Sequence, residues 1–420
     1  MNSRGLRTAA LWLAFAVVHA WLWTTSFTGP NTPLNDVTTV YHNWVQEGTH
    51  GLGWVGVDQT WVYPSAALAP MLLAAVFGLA HYSVTWLGLV VILDGIALAY
   101  LTRGGRERQP LGWWWLAFMV LLGPIAVGRL DSISVPLALV GLLYAVRRPV
   151  VAGILLALAT WIKVWPAALV VAVVIASKRR IPVLVAALGT SVVIVAVVLL
   201  FGGSLRVIFG FVGQQAGRGL QIEAPVTTWW LWLEGLHVPG VRTAFDYGLL
   251  TYQTTGPGTA LVSQLMTPIM AVVLLGVILL GVRAMRRGAH STAVLAPLAL
   301  ALVTAFIVTN KVGSPQYETW IAAPMILGLL LARRGGASFV VPASMALVVG
   351  GLTQVIYPWN YDALVFAQPW MLVVVTARNL LLVGLLVVGV VQLVRLGSVR
   401  QDATRPSPVS SSESVPTVAG

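Results

Sequence analysis

Long apolar runs separated by short polar segments fill most of the chain. They recur from residue 8 to residue 396 and have the composition of membrane-spanning helices. Several runs hold only about 14 residues, so we expect them inside a helix bundle rather than against lipid. The pattern predicts an all-α polytopic membrane protein with about twelve transmembrane helices. The predicted spans are 8–25, 83–101, 111–128, 133–146, 150–163, 166–177, 181–202, 259–282, 291–309, 318–332, 337–356 and 368–396.

Two polar segments are too long to be simple connections between spans. Residues 26–64 and 203–258 are predicted outer loops, and loops of this length in a compact membrane protein are usually functional. Residues 65–80 are interpreted as a helix that lies at the outer leaflet or dips into it without crossing. The Ser- and Pro-rich residues 397–420 are predicted to be a disordered cytoplasmic tail.

Composition excludes several classes of protein. Of the 420 residues 58% are hydrophobic and only 9% are charged, against about 25% charged in soluble domains. This excludes a soluble enzyme, a secreted module and a protein with a single membrane anchor. The absence of cysteine excludes disulfides, thiol nucleophiles and Cys-ligated zinc. The six histidines form no close pair, so no metal site is predicted.

The net charge of +12 is an orientation signal rather than evidence of nucleic-acid binding. Basic residues gather in alternate short segments, as they do in cytoplasmic loops, whereas nine of the 13 acids fall in the opposite loops. Both termini are therefore predicted to be cytoplasmic in a multi-pass plasma (inner) membrane protein. A single crossing within 65–101 keeps every basic cluster inside. The clustered residues are Arg4, Arg7, Arg103, Arg106, Arg108, Arg147, Arg148, Lys178, Arg179, Arg180, Arg283, Arg286, Arg287, Arg333, Arg334, Arg395, Arg400 and Arg405.

A carboxylate in the first outer loop is the first candidate for chemistry. Asp36 follows the first span by about ten residues, near the membrane surface. If 36–47 is helical, Asp36 shares a face with Val40 and Tyr41. Asp36 is then either a catalytic group or a plain helix N-cap. Asp58, later in the same loop, is the rival acid.

Two outer turns between spans carry further charges. Arg129 and Asp131 lie in one turn, either as a local pair that closes it or as part of a site. Lys163 lies in another turn between Trp161 and Trp165. It either snorkels between these anchors or faces a lipid phosphate.

The second long loop and the later spans add more polar groups. Arg218, Gln221 and Glu223 fall within six residues beside a Trp-rich segment. They suit recognition of anions and hydroxyls, or else belong to an ordinary interfacial helix. Lys311 precedes a Gly-Ser-Pro helix start, a favourable place for phosphate.

Arg378 lies about ten residues into the last span, where an arginine needs a partner. Asp94 or a lipid head group is the expected one. Together, an outer carboxylate, converging cations and an apolar path suit transfer of a group from a lipid phosphate donor. The cations would neutralise the departing phosphate, and the carboxylate would take a proton from the attacking hydroxyl.

At these positions the chain resembles the GT-C integral-membrane glycosyltransferases. More narrowly, over roughly residues 8–390 it resembles the actinobacterial polyprenyl-phosphate-mannose-dependent α-mannosyltransferases of the phosphatidylinositol mannoside and lipomannan type. One family Pro is absent after Pro64, and Arg129 stands where the family has Gln. The matching segments are Asp36-Val-Thr-Thr-Val-Tyr41, Val62-Tyr63-Pro64-Ser65, Gly128-Arg129-Leu130-Asp131, Lys163-Val-Trp-Pro166, Arg218-Gly-Leu-Gln-Ile-Glu223 and Lys311-Val-Gly-Ser-Pro-Gln-Tyr317.

The resemblance implies inverting transfer of mannose from a polyprenyl phosphate to a glycolipid or lipoglycan hydroxyl on the outer face. It implies a GT-C module over 1–202, the large loop 203–258 and C-terminal helices over 259–396. Asp36 would be the general base, with Asp58 as its rival, and no cofactor or metal is expected. Residues expected to hold the donor phosphate are Lys163, Arg218, Lys311, Arg378 and Arg129. Residues expected to bind sugar or acceptor are Tyr41, His42, Asp131, Gln221, Glu223, Gln316 and Tyr317.

Two alternatives stay open at the level of sequence. A related enzyme could use a polyprenyl-phosphate-arabinose donor. A flippase for lipids or lipid-linked sugars would also need an amphipathic cavity with cations, although it predicts paired halves with discontinuous helices.

Overall fold

A computed structural model of the chain describes residues 3–103, 105 and 107–398. It is mostly helical. The α-helices are α1 (Ser3–Thr28), α2 (His42–Thr49), α3 (Leu68–Ala74), α4 (Tyr82–Thr102), α5 (Gln109–Leu122), α6 (Asp131–Tyr144), α7 (Pro149–Ile162), α8 (Ala167–Ala176), α9 (Arg180–Leu200), α10 (Leu205–Ile208), α11 (Gly210–Ala216), α12 (Thr228–Gly235), α13 (Thr259–Arg286), α14 (Ser291–Val308), α15 (Ala322–Ala332), α16 (Val340–Gln354), α17 (Tyr361–Val365) and α18 (Pro369–Ser398). Short 3₁₀ or π-helical turns cover Asp36–Tyr41, Ser65–Ala67, Leu79–His81, Gly123–Ala126, Pro225–Thr227, Pro315–Ile321 and Val355–Trp359.

Each of the twelve predicted spans coincides with a helix. Among the described residues, eight helical stretches are long and apolar enough to cross a membrane, which supports a multi-pass membrane protein. The other four predicted spans are the short helices α6, α7, α8 and α15. The count of twelve crossings and the cytoplasmic placement of both termini remain predictions. The eight stretches are Gly5–Thr28, Leu79–Thr102, Gln109–Ala126, Arg180–Leu200, Thr259–Arg286, Ser291–Val308, Val340–Trp359 and Pro369–Ser398.

Three helices, α6, α14 and α15, form the centre of the bundle. α14 packs against α8, α13, α15 and α18, and most of its residues are buried. α6 and α15 are also buried along most of their length, as expected for spans too short to face lipid alone. In contrast, α9 and α13 lie at the rim and turn most of their apolar side chains outward.

The segment 203–258 is folded rather than an open loop. It contains α10, α11 and α12 and an antiparallel sheet of β1 (Leu220–Gln221), β2 (Arg242–Asp246) and β3 (Thr251–Thr255), in the order β1-β3-β2. The Thr- and Tyr-rich β3 is typical of a strand. This small sheet is a minor part of a mostly helical chain, so the predicted all-α fold class is confirmed.

Some predictions concern parts of the chain that the structure does not describe. Of the predicted tail, residues 397 and 398 continue α18. Residues 399–420, and with them Arg400 and Arg405, lie outside the described residues, as does Arg106.

Candidate active site

Asp36 lies in a helix that begins shortly after α1. The turn Asp36–Tyr41 continues directly into α2. Asn35 precedes the helix, and Asp36 lies within its first turn. The interpretation of Asp36 as an N-cap was therefore wrong. Its carboxylate is 28% exposed, an intermediate position between the buried residues and solvent.

Arg129 is the ion-pair partner of Asp36. Its Nε lies 3.0 Å from Asp36 Oδ2. The same buried guanidinium donates from Nη1 to the carbonyl oxygens of Pro33 at 2.7 Å and Gly128 at 2.8 Å, and from Nη2 to the Tyr357 hydroxyl at 3.3 Å. Burial opposes the charge of Arg129, but the Asp36 carboxylate and Tyr357 outweigh it and raise the pKa of Arg129. The first loop is thereby fixed to the α5–α6 turn.

Asp131 and Lys163 form a second pair on the same side of the bundle. Lys163 Nζ lies 3.1 Å from Asp131 Oδ2, and Trp320 Nε1 donates to Asp131 Oδ1 at 2.6 Å. Asp131 is fully buried. Lys163 Nζ also lies 4.8 Å from the Tyr63 ring centroid and 5.7 Å from that of Tyr317. Arg129 and Asp131 thus do not close a local pair, and Lys163 does not simply snorkel between tryptophans.

The third pair joins α18 to the segment 203–258. Arg378 Nη1 lies 2.6 Å from Glu223 Oε2, and Nη2 donates to the Glu223 backbone carbonyl at 2.8 Å. Glu318 Oε1 lies farther away, at 3.9 Å from Nη1. Burial raises the pKa of Glu223, and Arg378 opposes this rise. Asp94 is not the partner of Arg378, because it pairs with His19 Nε2 at 3.2 Å instead.

Arg218, Gln221 and Lys311 meet beside this pair. The backbone N–H of Gln221 donates to the Lys311 carbonyl at 3.0 Å. When the Gln221 amide is oriented to satisfy both neighbours, it donates to the Gly313 carbonyl at 3.1 Å and accepts from Arg218 Nη1 at 3.3 Å. Lys311 is buried, and burial lowers its pKa. Among the described residues, no carboxylate forms an ion pair with Arg218.

Three other predicted site residues contact neighbouring groups outside these pairs. Asp58 is exposed, and its Oδ2 accepts the Trp54 backbone N–H at 2.7 Å, which closes a turn. His42 packs edge-on against Tyr82, with ring centroids 5.6 Å apart. Gln316 Oε1 accepts from the Ser314 hydroxyl at 2.6 Å.

Two tyrosines connect the pairs into one polar region. Tyr41 is buried and interacts electrostatically with Asp36, Arg129 and Asp131. Its hydroxyl has no hydrogen-bond partner within the described ranges. Burial raises the pKa of Tyr41 well above its ordinary value, so the phenol is neutral. Tyr317 interacts in the same way with both Lys163 and Arg218.

Sequence reasoning missed several members of this region. The Tyr357 hydroxyl accepts a hydrogen bond from Arg129, and the Trp320 ring N–H donates to Asp131. Glu318 lies near Arg378. The aromatic run Tyr357-Pro-Trp-Asn-Tyr361 at the outer end of a predicted span was an available signal. No comparable signal distinguished Trp320 from the other tryptophans. For the described residues, no three His, Asp or Glu side chains are grouped to hold a metal ion.

Comparison with known proteins adds the enzyme class. Residues 61–210 match the family model for glycosyltransferase family 87. This match indicates a membrane glycosyltransferase. The matched segment contains Tyr63, Arg129, Asp131 and Lys163, whereas Asp36 precedes it. Neither the curated proteins nor the solved structures gave a match to the chain.

Proposed function

We propose that the protein transfers a sugar from a polyprenyl phosphate to a hydroxyl of a lipid-linked glycan, and that this sugar is mannose. Transfer takes place on the outer face of the plasma membrane and inverts the anomeric centre. One observation carries this proposal: a partly exposed carboxylate, oriented by a buried arginine, shares one end of an apolar bundle with several cations. The match to a glycosyltransferase family supports the reaction class.

Asp36 is the general base in this proposal. Arg129 holds Oδ2, while Oδ1 has no hydrogen bond to any of the described residues, so it is open to an acceptor hydroxyl. The hydroxyl oxygen attacks the anomeric carbon as its proton passes to Asp36, and the bond from that carbon to the phosphate oxygen breaks. The turn-closing bond of Asp58 supports Asp36 over its rival.

Arg218 and Lys163 are the proposed ligands of the departing phosphate. Arg129 and Arg378 are each neutralised by a carboxylate at 3.0 Å or less, so they have little positive charge to offer an anion. Lys163 is paired too, but its ammonium has three N–H donors, and the hydrogen bond to Asp131 uses only one of them. Arg218 has a Nε that is buried and unpartnered among the described residues. Lys311 stays in the proposal as a neighbouring charge.

The remaining groups suit recognition of hydroxyls. Glu223 Oε1 is buried without a hydrogen-bond partner among the described residues, so it can accept from a sugar hydroxyl. Tyr41 interacts with Arg129, and the Gln221 amide contacts Arg218. Both Asp131 oxygens already have partners, so its proposed role is to position Lys163. His42, Gln316 and Tyr317 remain proposed acceptor contacts.

A donor assay with a matched pair of variants tests this assignment. Purified protein receives polyprenyl-phosphate mannose, polyprenyl-phosphate arabinose or a nucleotide sugar, together with an envelope lipid extract. Arg218→Gln should raise KM for the lipid donor, whereas Arg242→Gln, on β2 of the same segment, should not. Transfer from the nucleotide sugar alone would refute the lipid donor. Transfer from the arabinose donor alone would change only the sugar, and transport of lipid-linked sugar without transfer would favour the flippase.

A further inference from the structure

Four arginines meet at the end of the bundle opposite Asp36. Arg103 ends α4, Arg108 precedes α5, Arg147 follows α6 and Arg334 follows α15. Burial lowers the pKa of Arg108, and the charges of Arg334, Arg147 and Arg103 lower it further. The Arg103 guanidinium carbon also lies 5.6 Å from the ring centroid of Tyr144, the last residue of α6, so the chain segments that follow α4 and α6 lie side by side.

Negative charge is scarce around this cluster. Among the described residues at this end of the bundle, Glu107 is the only acid, and its carboxylate forms no ion pair there. The backbone carbonyl of Glu107 accepts a hydrogen bond from Arg333, which fastens the 103–108 connection to the one after α15. Neither α5 nor α7 has an acid in its first turn or a side-chain cap, so both positive helix ends add to the field. Such an arrangement favours a bound anion.

An apolar stripe on α4 leads to the cluster. Ile92, Ile96, Tyr100 and Arg103 follow one another at helical spacing, so they share a face. Ile92 is 60% exposed and Ile96 is 58% exposed, toward the surface that lipid covers. The Arg103 guanidinium carbon lies 3.6 Å from the centroid of the Tyr100 ring, at the end of this stripe. An anion bound here would have an apolar surface directly alongside it for a hydrocarbon chain.

We propose that Arg103, Arg108, Arg147 and Arg334 bind the phosphate of an anionic phospholipid head group, with an acyl chain along the Ile92–Ile96 stripe. The bound lipid links α4, α6 and α15 at this end. Asp131 lies at the opposite end of α6, and Trp320 lies in the turn that precedes α15. The lipid therefore stabilises the helices that hold the candidate site, but it does not enter the site.

Nanodiscs of defined composition test the proposal. The full chain is placed in phosphatidylcholine with or without phosphatidylglycerol, and native mass spectrometry and thermal unfolding report retained lipid and stability. One variant replaces the four arginines of the cluster by Gln. The matched control carries Arg179→Gln, Arg180→Gln, Arg283→Gln and Arg286→Gln, which removes the same charge from exposed positions at the same end. Each cluster arginine is expected to contribute roughly five-fold to retention of the anionic lipid.

Wild type and control should retain phosphatidylglycerol and gain stability from it, and the cluster variant should lose both. Equal loss in both variants would show non-specific attraction and overturn the proposal. A third arm adds inorganic phosphate to phosphatidylcholine nanodiscs. Equal stabilisation by phosphate alone would overturn the lipid assignment. If the fourfold variant does not fold, Arg103→Gln should still weaken retention about five-fold and Arg103→Lys should restore it, whereas no change in Arg103→Gln would contradict the proposal.

Discussion

The pair between Asp131 and Lys163 gives the sharpest test of how the site is built. Asp131→Asn keeps the shape of the side chain and an oxygen for Trp320 Nε1, but it removes the charge that faces Lys163 at 3.1 Å. Asp131 is fully buried, and only 12% of the Lys163 side chain is exposed. The lysine would therefore be left as an uncompensated charge with little access to water.

Removing one partner of a buried pair costs about 3–5 kcal/mol. The small exposed fraction of Lys163 places this case near the lower end, at about 3 kcal/mol.

The destabilisation of Asp131→Asn should shrink as the pH rises. In the wild type Asp131 raises the pKa of Lys163 against the effect of burial, so the favourable pairing is lost only as the pH rises through that raised value. In Asp131→Asn the main effect that opposed burial is gone, so the penalty is present at low pH and disappears when the lysine becomes neutral.

Reversible unfolding in mixed detergents would measure the free energy of unfolding of wild type, Asp131→Asn, Lys163→Met and the double variant. The double variant should be more stable than Asp131→Asn, because it removes the stranded charge. It should still lack transferase activity, since Lys163 is a proposed phosphate ligand. Refutation would be a change below about 0.5 kcal/mol in Asp131→Asn, or a double variant whose loss equals the sum of the two single losses.

Three further predictions follow from the other contacts. Arg129→Lys keeps the charge but cannot reproduce the forked contacts to Asp36 and the backbone, so kcat should fall by roughly a hundred-fold; steady-state kinetics that match the wild type would contradict this. Tyr41→Phe removes an unpartnered hydroxyl, so unfolding should show unchanged stability or a gain of about 1 kcal/mol, independent of pH because the phenol is neutral; a loss of stability would be inconsistent. Glu223→Gln keeps an oxygen for Arg378 but removes the negative charge that lies 2.6 Å from Nη1, so it should cost about 3 kcal/mol in the same measurement, which an unaltered unfolding curve would disprove.

The helices could be predicted because their physical cause is local. The backbone N–H and C=O groups of an apolar run inside a membrane find hydrogen-bond partners only if the run is helical. All predicted spans are helical for this reason. The sheet in 203–258 was missed because its strands are short and depend on pairing between β2 and β3 rather than on a local pattern.

The partners in the site could not be predicted because pairing depends on packing. The charged residues were recognisable, since each is costly near a membrane. The partner of each charged residue could not be recognised from the sequence. Arg129, for example, pairs with Asp36 in another loop and not with Asp131, two residues away. Likewise Arg378 reaches Glu223 across 155 positions of sequence. Composition identifies which charges need partners, and only the tertiary fold decides among them.

The most direct test of the proposed function is the activity of two acid variants from the first loop. Purified wild type, Asp36→Asn and Asp58→Asn would receive radiolabelled polyprenyl-phosphate mannose and an envelope lipid extract, with thermal unfolding as a check of folding. Loss of a general base should lower kcat at least about a hundred-fold in Asp36→Asn, and Asp58→Asn should stay near the wild type. A folded Asp36→Asn with wild-type transfer, or loss of transfer in Asp58→Asn alone, would contradict the role assigned to Asp36.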